Sequence, residues 1–144
     1  MKSSTRKDEP VANGRSRVQR IMTARRSIVL TRVRKICLAL PEAHEKIAWG
    51  APTFRVRDRQ FAMYLDNHHG DGKLALWCKA PPGAQEALVG ADPKRFFVPP
   101  YVGPSGWLGI HLDKGLDWGV IEERVKDGYL EIAPKRLRAI LENG

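Results

Sequence analysis

Between Thr53 and Lys79 the chain reads TFRVRDRQFAMYLDNHHGDGKLALWCK, with apolar residues recurring at alternate positions. Successive strand residues point to opposite faces, so this period predicts β-structure and limits how the segment can be buried. Thr53 to Val56 is a first strand and Arg57-Asp58-Arg59 a charged turn. Gln60 to Asp66 is a second strand, Asn67 to Gly72 a polar tip, and Lys73 to Lys79 a third strand. A strict alternation puts Phe54, Val56, Phe61, Met63, Leu65, Leu74, Leu76 and Cys78 on one side. The other side receives Arg55, Arg57, Ala62, Tyr64, Ala75, Trp77 and Lys79. The expectation is an antiparallel sheet with one dry face against helices and one wetter, basic and aromatic face.

The flanking segments predict helices. Ser27 is a candidate N-cap for a helix from Ile28 to Leu40, with Val29, Val33, Ile36, Cys37 and Leu40 on one stripe. Arg32, Arg34 and Lys35 lie off that stripe, and Pro41 ends the helix. The stretch PEAHEKIAWGAP reads as a loop, with Trp49 as a plug over the sheet edge. Pro81-Pro82 breaks the sheet, and Gly83 to Val89 reads as a short helix. Asp92-Pro93 is a helix-start signal leading to Phe96-Phe97. Trp107 to Leu112 is a further strand; phased with the apolar set, Trp107 and His111 join Tyr64 and Trp77 on the wetter face. A one-residue slip would reverse that assignment. Asp117 caps a helical region through Val125, and Pro134 opens a last short helix. The fold class expected is α+β, a two-layer sandwich. Its antiparallel sheet has about five strands, with N- and C-terminal helices packed on one face.

Composition bounds the rest. A chain of 144 residues, 42% hydrophobic and 28% charged, suits one soluble globular domain. No apolar run approaches the roughly 20 residues of a membrane span. Cys37 and Cys78 lie far apart without zinc spacing, which predicts reduced, structural thiols and a cytoplasmic compartment. The net charge is +9, and residues 1–26 carry eight basic residues against two acidic ones. The expected organisation is therefore a basic disordered tail, 1–26, and a folded domain, 27–144.

Candidate ligand clusters are weak. Glu42, His44 and Glu45 lack metalloprotease spacing, and the tip DNHHGDG lacks the calcium-loop pattern. Both read as solvated turns, so no metal and no cofactor is expected. His111 is the one histidine expected on a structured face, and no nucleophile or carboxylate is paired with it in sequence, so catalysis is not expected. What stands out is the basic and aromatic set. Arg55, Arg57 and Lys79 would meet phosphates; Tyr64, Trp77, Trp107 and His111 would offer rings; Arg15, Arg17, Arg20, Arg25 and Arg26 would add affinity from the tail.

Four segments in order carry a family resemblance: LALPEA, WGAPTFRVRDRQFAMY, FFVPPYVGPSGWLGIHLD and the terminal APKRL. Together they make residues 28–138 similar to the MmcQ/YjbR-like family. The resemblance implies a compact α+β fold related in shape to frataxin and a DNA-binding role described as double-wing. It brings no catalytic motif. The expected partner is nucleic acid, DNA before RNA, with weak sequence preference, no membrane, and a monomer or weak homodimer. The alternative is a protein-interaction or small-ligand module. Iron handling is disfavoured, because the first helix exposes Arg32, Arg34 and Lys35 where carboxylates would be needed.

Overall fold

The computed structural model describes residues 16–143. They fall into two compact units that divide between Val33 and Arg34.

Helix α1, Arg17–Leu38, runs through the first unit and ends in the second. It starts eleven residues earlier than a cap at Ser27 predicts, so residues 17–26 are helical where disorder was expected. The cause is a capping box. The Gln19 amide donates to Ser16 Oγ (3.1 Å), and the Ser16 amide donates to Gln19 Oε1 (2.8 Å). Two otherwise unpaired backbone donors are satisfied reciprocally. Ser27 lies inside the helix, and its carbonyl accepts the Thr31 hydroxyl at 2.8 Å.

The second unit is built on one six-stranded antiparallel sheet, ordered β1-β2-β3-β4-β6-β5. The strands are β1 His44–Ala48, β2 Ala51–Val56, β3 Arg59–Asp66, β4 Leu74–Cys78, β5 Phe96–Phe97 and β6 Leu108–His111. The fold is α+β, as expected. Two strands lie where none was read: β5, after an Asp92–Arg95 turn in place of the helix start expected there, and, in the segment read as a loop, β1. It is an edge strand that buries none of its residues, so it carries little apolar pattern. Helix α2 is Ala84–Ala91, α3 is Trp118–Ile132 and α4 is Lys135–Asn143. Asp117 caps α3 as expected, its Oδ1 accepting from Gly119 N (2.9 Å) and Val120 N (3.3 Å).

The faces differ from strict alternation at one place. Phe54 pairs with Ala62, but Arg55 pairs with Gln60, so Phe61 is an extra residue on β3. Such a bulge resets the phase. Phe61 stays on the helix side, edge-on to Tyr129 of α3 at 5.5 Å. Beyond it the phase inverts: Tyr64 pairs with Leu76, and Met63 with Trp77. Directly opposed residues share a face. The helix side thus holds Phe54, Phe61, Tyr64, Leu76 and Cys78. Met63 and Leu65 move to the far side and join Ala51, Ala75, Trp77 and Trp107 in a second buried cluster, covered by Phe97 and Val102.

The close packing has an identifiable cause on each side. A Cβ at Gly128 of α3 would run into the Lys79 carbonyl oxygen, so the missing side chain lets the helix lie against the sheet. A Cβ at Gly109 of β6 would meet the Phe97 ring at 2.5 Å. Tyr129 is fully buried, and its hydroxyl donates to the Pro41 carbonyl at 2.7 Å. Cys37 and Cys78 are both buried thiols, and burial raises the Cys78 pKa to about 12.

Candidate functional site

The residues expected on an open sheet face are not on an open face. Trp77 is 3% exposed, Tyr64 6%, Trp107 7% and His111 7%. Trp77 and Trp107 lie inside the second cluster, under the segment that carries Phe97 and Val102. Gln85 of α2 ties that segment down, its amide donating to the carbonyls of Gly103 (2.8 Å) and Trp107 (2.6 Å). Tyr64 is on the helix side because of the bulge at Phe61.

The arginines of the β2–β3 turn are engaged internally. Arg55 donates to Thr53 Oγ1 (3.0 Å), Gln60 Oε1 (3.3 Å) and the Asp58 carbonyl (3.5 Å). Arg57 pairs with Glu42 at 3.3 Å, and Glu42 also takes Arg136 of α4 at 2.5 Å. These contacts hold the Glu42 carboxyl below its ordinary range, Arg136 first and Arg57 second. Lys79 is half-buried. The structure therefore does not bring Arg55, Arg57, Tyr64, Trp77, Lys79, Trp107 and His111 together as one surface.

The basic residues of α1 lie mostly on an exposed helix surface. Arg17, Arg20, Arg25 and Arg32 are exposed and Arg26 is half-exposed. Arg15 lies outside the described residues. The sequence of α1 contains no acidic residue. At 3.6 residues per turn, Arg17, Arg20, Arg25 and Arg32 fall within an arc of about 140°, spread over roughly 22 Å of helix. Exposed Val18 and Ile28 interrupt this charge without cancelling it.

Two clefts in the second unit carry residues that sequence reasoning set aside. The first has a volume of about 330 Å³ and is lined by Trp49, Pro52, Tyr64, His68 and His69 among others. Trp49 is 77% exposed, so it is not the plug expected. Tyr101 stands edge-on to His68 and His69, at 6.2 Å from each. Trp49, His69 and Tyr101 all have a left-handed backbone (φ 53°, 51° and 65°), which bulky residues seldom adopt. The adjacent glycines of WG and HHG were the available signal that Trp49 and His69 sit at turns.

The second cleft, of about 540 Å³, lies where the Asp92–Arg95 turn meets the end of β6. Arg95, Lys94, Lys114 and His111 line it, with Asp92 and Gly115. Burial pulls the His111 pKa below its ordinary value, and nearby Lys114 adds to that. Its Nδ1 is buried without a hydrogen-bond partner, so no carboxylate orients the ring as a catalytic triad would require. Among the described residues, no three His, Cys, Asp or Glu side chains converge as a metal site. No described helix is long and apolar enough to cross a membrane.

Comparison with known proteins bears on the fold. A family model described as YjbR matches residues 38–131. The crystal structure of Deinococcus radiodurans protein DR2400, described as a DUF419 domain, is similar, with a TM-score of 0.61 at 22% identity. The match covers 76% of this chain and 85% of that one. No curated protein matches the chain.

Proposed function

The chain belongs to the YjbR family, and from that premise we propose that it is a non-catalytic nucleic-acid-binding protein that meets the phosphate backbone through α1. One observation carries the reading. Helix α1 is free of acidic residues and exposes Arg17, Arg20, Arg25 and Arg32 along one side. Duplex DNA carries about one charge per 1.7 Å of axis, so a helix side roughly 22 Å long can engage several phosphates. Such contacts fix position without reading bases, which supports weak sequence preference and DNA as a sufficient partner. The arginines first assigned to phosphate, Arg55 and Arg57, serve internal contacts instead. The unoriented imidazole of His111 supports a binding protein over an enzyme. The two buried thiols support a reducing compartment.

The test is a salt titration of labelled duplex by fluorescence anisotropy, comparing the full chain with a variant carrying R17Q, R20Q, R25Q and R32Q. Glutamine keeps the helix propensity while removing charge. Each lost phosphate contact should flatten the slope of log K against log salt by about 0.9. Loss of all four should flatten it by about 3 to 4. An unchanged slope and affinity would show that α1 does not touch the nucleic acid.

A further inference from the structure

The cleft of about 540 Å³ between the Asp92–Arg95 turn and the His111–Gly115 segment has no part in the reading above, and its chemistry is specific. We propose that it binds a phosphate-class oxyanion, held by the Arg95 guanidinium with Lys94 and Lys114.

The backbone builds the cleft firmly. The His111 amide donates to the Arg95 carbonyl at 2.9 Å, and the Arg95 and Phe96 amides donate to the Asp92 carbonyl at 3.1 and 3.0 Å. Arg95 therefore stands directly across from His111 at the end of the β5–β6 ladder. The His111 ring packs on Phe97 at 4.8 Å, and Lys73 Nζ lies 4.4 Å from the centre of the Phe97 ring. Gly115 has a left-handed backbone (φ 58°), and a Cβ there would sit 4.0 Å from Arg95 Nη2, so the turn is compact beside the guanidinium.

Charge and hydrogen bonding in the cleft are unbalanced. Lys94, Arg95 and Lys114 face a single lining carboxylate, Asp92. Asp92 Oδ2 stays 3.7 Å from Arg95 Nε, too far for a hydrogen bond. Arg95 Nε, ion-paired with Asp92, and His111 Nδ1 are both buried with no hydrogen-bond partner. Both atoms are closed off from the cleft, so the case for an anion rests on the three cations that line it. A planar guanidinium flanked by ammonium groups matches tetrahedral oxyanions. The cleft keeps His111 neutral: burial acts first, Lys114 and Lys73 oppose a further positive charge, and Asp113 and Asp71 favour it. A bound anion adds negative charge beside the ring, so it raises the His111 midpoint.

The experiment follows the ring nitrogens of the full chain by long-range proton–nitrogen NMR, with His111 identified by the signal lost in His111→Gln. Inorganic phosphate is titrated against chloride at constant ionic strength. Parallel titrations use a 5′-phosphorylated dinucleotide and its unphosphorylated form. The expected result is a saturable His111 shift with phosphate, a raised midpoint, and at least tenfold weaker binding in Arg95→Gln. Saturation by the phosphorylated dinucleotide alone also supports the site and assigns the phosphate to a nucleotide end. Should Arg95→Gln lose its fold, exposed Lys114→Gln supplies the same readout with a several-fold loss. Shifts that stay linear and match chloride for every phosphate, or binding unchanged in both variants, overturn the proposal. None of these outcomes depends on α1.

Discussion

Trp49 and Trp77 exchange their expected roles. The side chain read as a plug is 77% exposed, and the one read as a stacking platform is 3% exposed. Alternation places a side chain on a face and says nothing about what covers that face. Here Phe97 and Val102 cover it, from a segment distant in sequence. The placement predicts a clear optical result. Trp77 and Trp107 are both buried, while Trp118 is intermediate. Trp49→Phe should remove most of the acrylamide-quenchable tryptophan emission of the native protein. Trp77→Phe and Trp107→Phe should leave the quenchable part intact while lowering stability, because each thins a packed cluster. Strong quenching that survives Trp49→Phe and disappears with Trp77→Phe would restore the open aromatic face.

At the scale of elements, the sheet and its turns were legible because local chemistry forces them. Alternating apolar residues define β2, β3 and β4, and the Asp117 cap defines the start of α3. The bulge was not legible: one extra residue, Phe61, is invisible to a count by twos, yet it inverts Ala62, Met63, Tyr64 and Leu65. Edge strand β1 escaped because an unburied strand has no pattern to read. The true start of α1 could have been found, since Ser16-Arg17-Val18-Gln19 is a capping box in plain sequence. Asp117 offers the stability test at this scale. Its single carboxylate oxygen satisfies two amides at the first turn of a helix whose Ile121, Val125 and Tyr129 are buried. Asp117→Ala should cost about 0.5–2 kcal/mol in urea unfolding, whereas Asp117→Asn should cost much less, because Asn caps almost as well. Equal losses in both variants would assign the effect to charge at the helix start and not to the cap.

For the whole molecule the question is what mode of nucleic-acid contact this charge distribution would favour under the proposed function. Of the net +9, residues 1–33 hold nine basic and two acidic residues, and residues 34–144 hold sixteen basic and fourteen acidic. The first unit is the strongly basic part by composition, and the second is close to balanced. Stacking would add about 1–3 kcal/mol per base on a single strand, so two stacked bases would favour single strands by roughly 30-fold or more. Tyr64, Trp77 and Trp107 are buried and cannot supply that term. Charge contacts alone scale with phosphate density, which is higher on a duplex, and they fall steeply with salt. Unlabelled single strand should therefore compete no better than duplex of equal phosphate number, to within about tenfold, and the duplex advantage should narrow as salt rises because the duplex slope is the steeper one. A single-strand advantage beyond that would mean that rings do contact bases. Trp49 and Tyr101, 77% and 74% exposed, would then be the residues to change. Loss of the advantage in Trp49→Ala with an unchanged salt slope would separate stacking from phosphate contact, because a neutral ring releases no counterions.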